Sequence, residues 1–263
     1  MSDSHLSVAK PEADRNWDLV VDHLAETRPD LVLHGGDISA DGNDVIADLE
    51  HARAQLDRLP VPWLAVPGNH DLGDAEPEWA LTRQRRIRYE QVFGDRFWVH
   101  ELDRWRIVGV DSQAIASGHD DDEDSWAWMG AELATDRPTI VVLHRPVAPT
   151  AVDEPDTARR YLTEPQRSRF RHLLAGTGGG PSNVVAVITG HIHQWRSQVV
   201  DGVAWIWAPS TWAVIADDLQ PTIGTKAVGL VELDLDAMGH ARLVTPEGMD
   251  RNVVTAYAPR SAS

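Results

Sequence analysis

Seven side chains carry the chemistry in this sequence: Asp3, His5, Asp37, Asn69, His144, His191 and His193. They fall in five short stretches, Asp3-Ser4-His5, Gly36-Asp37, Gly68-Asn69-His70-Asp71, His144 and Gly190-His191-Ile192-His193. Oxygen and imidazole nitrogen donors without sulfur suit divalent metals such as Mn, Fe, Zn, Co or Ni. The chain has no cysteine, which removes thiolate catalysis, zinc ribbons and iron–sulfur clusters together. Seven donors are too many for one tetrahedral site and fit two ions that share a bridging carboxylate. Two such ions, about 3.5–4 Å apart, can clamp a phosphoryl oxygen and generate a bridging hydroxide at neutral pH. Glycine precedes three of the donors, at Gly36, Gly68 and Gly190, as expected where the backbone must turn tightly to bring ligands together.

The surrounding elements place these residues on one rim. Trp17, Val20, Val21 and Leu24 recur at helical spacing over 12–28, and Leu31 to His34 reads as a short buried strand ending at Gly35-Gly36-Asp37. A helix over about 43–59 buries Val45, Ile46, Leu49, Ala52, Leu56 and Leu59, and a strand over 62–66 runs into the Gly68 stretch. A helix over 77–92 completes a βαβ rhythm, which implies parallel strands. A hairpin over 97–101 and 105–110 follows, then a helix over 125–135, a strand over 139–143 ending at His144, and a helix over 164–175. The strand 184–189 ends at Gly190, and 198–200, 203–208, 228–234 and 240–244 form an antiparallel meander. The expected class is α/β: a four-layer α/β/β/α sandwich of two mixed sheets, one domain over 1–263. Its site lies at the carboxyl ends of the strands, where open α/β sheets carry their ligands.

Composition narrows the partners. At 263 residues, 42% hydrophobic and 25% charged, the chain is of ordinary globular make-up. No apolar run approaches the roughly 20 residues of a membrane span. A formal charge of −17 repels polyphosphate chains, so nucleic acid is not an expected partner. The expected partner is a small-molecule phosphoester, and bound cations must supply the positive charge that the surface lacks. The N-terminal residues show no basic region followed by an apolar stretch, so the expected location is cytoplasmic.

In that order and at that spacing, the five stretches resemble the signature of the calcineurin-like metallophosphoesterase family, over residues 3 to 193. The resemblance implies that Asp3, His5, Asp37 and His193 hold a first metal, and that Asp37 as bridge, Asn69, His144 and His191 hold a second. It puts His70 beside the leaving group as general acid or transition-state stabiliser, with Asp71 orienting it from behind. The implied reaction is in-line attack on phosphorus by a metal-bridging hydroxide. The compact chain and the Gly-Asn-His-Asp form look similar to class III cyclic-nucleotide phosphodiesterases and glycerophosphodiesterases. Phe93 to Trp98 and Val108 to Gln113 also resemble broader relatives that act as phosphatases. The expected activity is therefore hydrolysis of a small phosphodiester, such as a cyclic nucleotide or glycerophosphodiester. A phosphomonoesterase or phosphoprotein phosphatase is the alternative, and a non-catalytic scaffold the reading from another class. The family pattern normally follows a buried strand, whereas here the first stretch starts at Met1-Ser2. The strand lies upstream of the sequence or is missing, and if missing, Asp3 and His5 sit on a frayed end.

Other features receive plainer readings. His23, His51, His100, His119, His172 and His240 are expected to be structural, and His34 to point away from the site. The acidic run 119–124 reads as a solvated loop, and Gly176 to Pro181 as a turn without the Lys-Ser/Thr of a phosphate loop. Among eleven tryptophans, Trp195 and Trp212 are expected to face a substrate. Arg83, Arg85, Arg86 and Arg88 either present a basic face to a phosphate or pair with nearby acids.

Overall fold

The computed structural model describes residues 1–74, 79–115, 122–147, 160–175, 183–235 and 240–256. His119, the first part of the acidic run and the 176–181 turn lie outside them. In chain order the elements are α1 (Pro11–Thr27), β1 (Val32–His34), α2 (Ile46–Leu56), β2 (Trp63–Ala65), α3 (Asn69–Leu72), α4 (Arg83–Phe93), β3 (Trp98–Leu102) and β4 (Trp105–Val110). They continue with α5 (Asp122–Leu133), β5 (Thr139–Leu143), α6 (Gln166–Leu174), β6 (Val184–Thr189), β7 (Arg196–Val200) and β8 (Val203–Trp207). The last four are β9 (Ala213–Ile215), β10 (Leu230–Asp234), β11 (His240–Val244) and β12 (Asn252–Val254).

The backbone of the molecule is a six-stranded mixed sheet in the order β3-β4-β5-β6-β8-β7. Strands β4, β5, β6 and β8 are parallel, and β3 and β7 close the edges as antiparallel partners. All five residues of β5 are buried, the continuous apolar run of a strand covered on both faces. Alternation sorts its two faces. Val141 and Leu143 join Trp126, Met129, Phe170 and Leu174 of α5 and α6. Ile140 and Val142 pack with Val66, Leu31 and Leu33 on the other side. A further core gathers Trp17, Val20 and Leu24 of α1 with Leu49, Ala52 and Leu56 of α2 and Tyr89 of α4. No helix among the described residues is long and apolar enough to cross a membrane.

The α/β class and the large mixed sheet match expectation. The remaining strands fall into two-stranded ladders, β1–β2 and β9–β12 parallel and β10–β11 antiparallel. The expected antiparallel meander is therefore broken: the β7–β8 hairpin joins the large sheet, and β10–β11 pair apart from it. The cause lies at residues 208–213, where the chain turns back to bridge Ser210 to Ser2 before β9 starts. Helix α2 also starts later than expected, because Arg85 and Arg88 of α4 grip the carbonyls of Asn43 and Asp44 in the turn ahead of it. Val45 and Ile46 are accordingly exposed. Those contacts, with Arg85 to the Asp44 carboxylate at 2.6 Å, give Arg85 and Arg88 a packing role.

The first residues are not frayed. Asp3 N–H donates to Gly36 O at 2.9 Å, His5 N–H to Asp37 O at 3.1 Å and Leu6 N–H to Ile38 O at 2.8 Å. Asp3 and His5 are thereby buried beside the chain leaving β1.

Candidate metal centre

Each candidate ligand sits just past a strand or on the bonded segment beside β1, and the backbone there is bent unusually. Asp3, His5, Asp37, His191 and His193 all have positive φ, between 47° and 71°. Asp and His enter this region more readily than most residues, and such conformations gather where a site dictates geometry. Two glycines allow the close approaches. A Cβ on Gly68 would lie 2.2 Å from Asp37 Oδ1, and one on Gly190 would lie 1.9 Å from Ser2 Oγ and 2.6 Å from Asp3 Oδ2.

All seven candidate ligands converge. Asp37 is central: its Oδ2 lies 3.3 Å from His144 Nε2 and 3.8 Å from His5 Nε2. On one side, His193 Nε2 is 3.3 Å from Asp3 Oδ1 and 3.2 Å from His5 Nε2. On the other, His144 Nε2 is 3.2 Å from Asn69 Oδ1 and 3.1 Å from His191 Nδ1. Three donor groups among the described residues, Asp3/His5/His193, His5/Asp37/His70 and Asp37/His144/His191, each bring their ligand atoms within 4.8 Å of one another.

The outward-facing atoms fix which nitrogens look inward. His144 Nδ1 donates to Gly35 O at 2.8 Å, and His193 Nδ1 donates to Ala213 O at 2.8 Å. Both rings thus turn Nε2 into the cluster, the arrangement that orients metal-binding imidazoles. Asp3 accepts from the His191 N–H at 3.2 and 3.0 Å, one contact to each oxygen, and Asp37 Oδ1 accepts from the His70 N–H at 2.8 Å. His5 Nδ1 is buried and has no hydrogen-bond partner among the described residues.

Electrostatics give the test of fit. Nitrogen lone pairs and carboxylate oxygens crowd together at 3.1–3.3 Å, which is repulsive unless positive charge sits between them. Burial opposes that charge on the imidazoles, but the Asp37 carboxylate wins at His144 and raises its pKa to about 9. Asp3 likewise raises His193 against burial. At His5, burial and His70 hold the ring neutral. Asp3 and Asp37 stay ionised despite burial, because His193 and His144 respectively pull their pKa values down. A set that traps protons between ligands in this way is one in which divalent cations compete for the same places. The residues fit two ions.

His70 is half-buried at the edge, its ring 4.6 Å edge-on from His5 and 6.0 Å from Trp79. Its Nδ1 donates to Ala40 O at 2.5 Å. Asp71 does not touch that ring, which departs from its expected role. Its carboxylate instead accepts from the N–H groups of Ile38, Ser39 and Gly68 and from Ser39 Oγ. Burial and the nearby Asp37 push Asp71 up to about 6, and those donors limit the rise. It acts as a clamp joining the Asp37 turn to the start of α3.

His34 is structural, as expected. Gly36 N–H donates to its Nδ1 at 3.3 Å, and its Nε2 lies 2.9 Å from Ser4 Oγ. Trp212 does reach the site, its ring 5.0 Å from that of His5, whereas Trp195 is fixed through its backbone to Thr225. Residue types alone missed Gly35, Ala40 and Ala213, which act through backbone carbonyls, and Ser210, whose Oγ donates to Asp3 O at 2.6 Å.

Comparisons with known proteins identify the family. A cyanobacterial relative from Synechococcus, named a probable cyclic nucleotide phosphodiesterase, is 30% identical over 66% of this chain and 62% of its own length. A probable glycerophosphodiester phosphodiesterase from Arcobacter nitrofigilis is 24% identical over 73% of this chain and 67% of its own. The chain thus spans about two thirds of the length of these curated relatives. A dimetal phosphatase structure from Danio rerio aligns with a TM-score of 0.55 at 16% identity, covering 81% of this chain and 86% of that one. That likeness concerns the fold. The calcineurin-like phosphoesterase model matches residues 1–195, which contain every candidate ligand, and the chain belongs to that family.

Proposed function

We propose that residues 1–263 form one phosphoesterase domain that hydrolyses a small phosphodiester, such as a cyclic nucleotide or a glycerophosphodiester, with two divalent ions of the Mn, Fe or Zn kind. The observation that carries this reading is Asp37, whose Oδ2 lies between His5 Nε2 at 3.8 Å and His144 Nε2 at 3.3 Å. Asp3, His5, Asp37 and His193 would hold one ion, and Asp37, Asn69, His144 and His191 the other. Such a pair supplies Lewis acidity toward phosphoryl oxygens and a nucleophile at neutral pH. The protein's own groups do the rest. His144 and His193 keep Nε2 inward because Gly35 and Ala213 occupy their other nitrogens. His70, with Nδ1 committed to Ala40 O, exchanges a proton with the leaving oxygen through Nε2. Asp71 holds the Asp37 turn against the start of α3 so that bridge and acid keep their spacing. The diester preference is supported by the names of the relatives, a probable cyclic nucleotide phosphodiesterase and a probable glycerophosphodiester phosphodiesterase.

The test is parallel hydrolysis of bis(p-nitrophenyl) phosphate and p-nitrophenyl phosphate by Mn²⁺-loaded protein, with metal content measured and a metal-free control. The expected result is two ions per chain and faster turnover of the diester. Faster turnover of the monoester would move the protein to the phosphatase alternative. Two bound ions with no turnover of either ester would leave the scaffold reading.

A further inference from the structure

The turn at residues 210–213 lies beyond the stretch matched by the family model, yet it serves the candidate centre in three ways. Ser210 Oγ donates to Asp3 O, and it accepts from the N–H groups of Trp212 and Ala213 at 2.9 and 3.0 Å. Ala213 O orients His193. Asn16, buried in α1, holds the carbonyls of Thr211 and Trp212 from below at 2.9 and 3.3 Å. The backbone that carries Trp212 is therefore fixed at both ends.

On this rigid mount the indole leans over His5 at 5.0 Å and 53°. Its Nε1 is buried and has no hydrogen-bond partner among the described residues. A buried indole N–H normally finds an acceptor, and leaving it unmet costs stability. The ammonium of Lys10 lies 5.4 Å from the centre of the same ring, held only loosely by Asp41 at 3.9 Å across half-exposed side chains. Lys10 is one of just two lysines in the chain. Beside the same His5 ring lies His70, with Trp79 next to it, so aromatic rings line this edge of the centre.

We propose that Trp212 is a specificity-determining residue that receives the ester group beside phosphorus and favours a planar, π-rich group, such as an aryl ring or nucleobase, over an aliphatic one. Lys10 covers the ring in the free protein and swings off it when such a group stacks there. This rests on the phosphodiesterase reading above and adds the class of substrate that the site takes.

The experiment compares phenyl p-nitrophenyl phosphate with ethyl p-nitrophenyl phosphate, which share a leaving group, on metal-loaded wild type, Trp212→Leu and Trp212→Phe. The phenyl-to-ethyl ratio of kcat/KM falls about tenfold in the leucine variant, in the range that aromatic stacking contributes to base binding. The change appears chiefly in KM, and phenylalanine restores most of it. An unchanged ratio overturns the proposal. So does a parallel loss on both esters together with lost metal, which would mean that the ring merely supports His5. If wild type hydrolyses neither ester, the phosphodiesterase reading has failed, and calorimetric binding of phenylphosphonate against ethylphosphonate then decides. Tighter phenylphosphonate binding in wild type that disappears in Trp212→Leu keeps the proposal, and equal binding of the two ends it.

Discussion

The two halves of the centre are built differently. The half around Asp37, Asn69, His144 and His191 grows from β1, α3, β5 and β6, and the last two are central strands of the large sheet, each paired on both sides. The half around Asp3, His5 and His193 rests on isolated bridges and turns: Ser2 to Ser210, Leu6 to Ser39, and the Ser210–Ala213 turn. His144 and His193 each have their outer nitrogen anchored, whereas His5 has none among the described residues. Ligands fixed by ladder strands are preorganised at little entropic cost, while ligands fixed by turns depend on each turn being in place. The half around Asp3, His5 and His193, the first half below, should therefore bind its ion more weakly and lose it first.

The largest expected effect erases the comparison. Asp37→Asn removes the shared carboxylate, so both halves fail together. Bound metal should drop below one ion per chain, and kcat/KM should fall by roughly a thousandfold or more. Retention of two ions by this variant would show that Asp37 is not the bridge. His70→Ala comes next, and it should leave both halves loaded. Turnover should fall by about 10²–10⁴, the range of general acid–base catalysis, with two ions still measured. Loss of metal along with activity would make His70 a ligand, which its place beside His5 and Asp37 makes a meaningful alternative.

A subtler variant separates the halves. Ser210→Ala deletes the hydroxyl that ties Asp3 to the Trp212 turn. Affinity at the first ion should fall about 10–100-fold, the usual cost of removing a supporting partner, while the second is held as before. Stepwise metal titration reads this directly. Equal weakening at both ions would mean that the halves share their support, and that the contrast between ladders and turns is not what sets affinity.

This contrast also explains what was legible in the sequence. The candidate ligands were visible because side-chain chemistry at strand ends leaves a pattern in residue type, and the apolar runs of β5 and β6 announced the sheet that carries them. The backbone supports of the centre were not visible in either half. Gly35, Ala40 and Ala213 contribute carbonyl oxygens, which every residue possesses, so only the folded path reveals them. The pairing of Ser2 with Ser210 spans nearly the whole chain and has no local signature. The resemblance implied that Asp71 orients His70, and the sequence holds no sign of the contacts the carboxylate makes, back from a one-turn helix to the Asp37 turn. The late start of α2 likewise depends on α4 gripping its leading turn, a contact between distant segments that periodicity does not record.

The smallest effect comes from acid, and it acts where Ser4 meets the end of β1. His34 joins Ser4, between the candidate ligands Asp3 and His5, to the chain leaving β1. Burial is the main cause that lowers its pKa to about 3, against an ordinary value of 6.5. The folded protein thus keeps His34 neutral where the unfolded chain would protonate it. Its contribution is intact above the unfolded value and is lost as pH falls from about 6.5 toward 3. At pH 5.5 the loss is about 1.4 kcal/mol relative to pH 7.5, from one proton and a one-unit interval below the unfolded pKa. His34→Gln cannot titrate, so its urea stability should decline less than wild type over that interval by about this amount. Parallel declines in the two proteins would mean that His34 takes up its proton without unfolding, and that the packing around Ser4 yields more easily than its burial suggests.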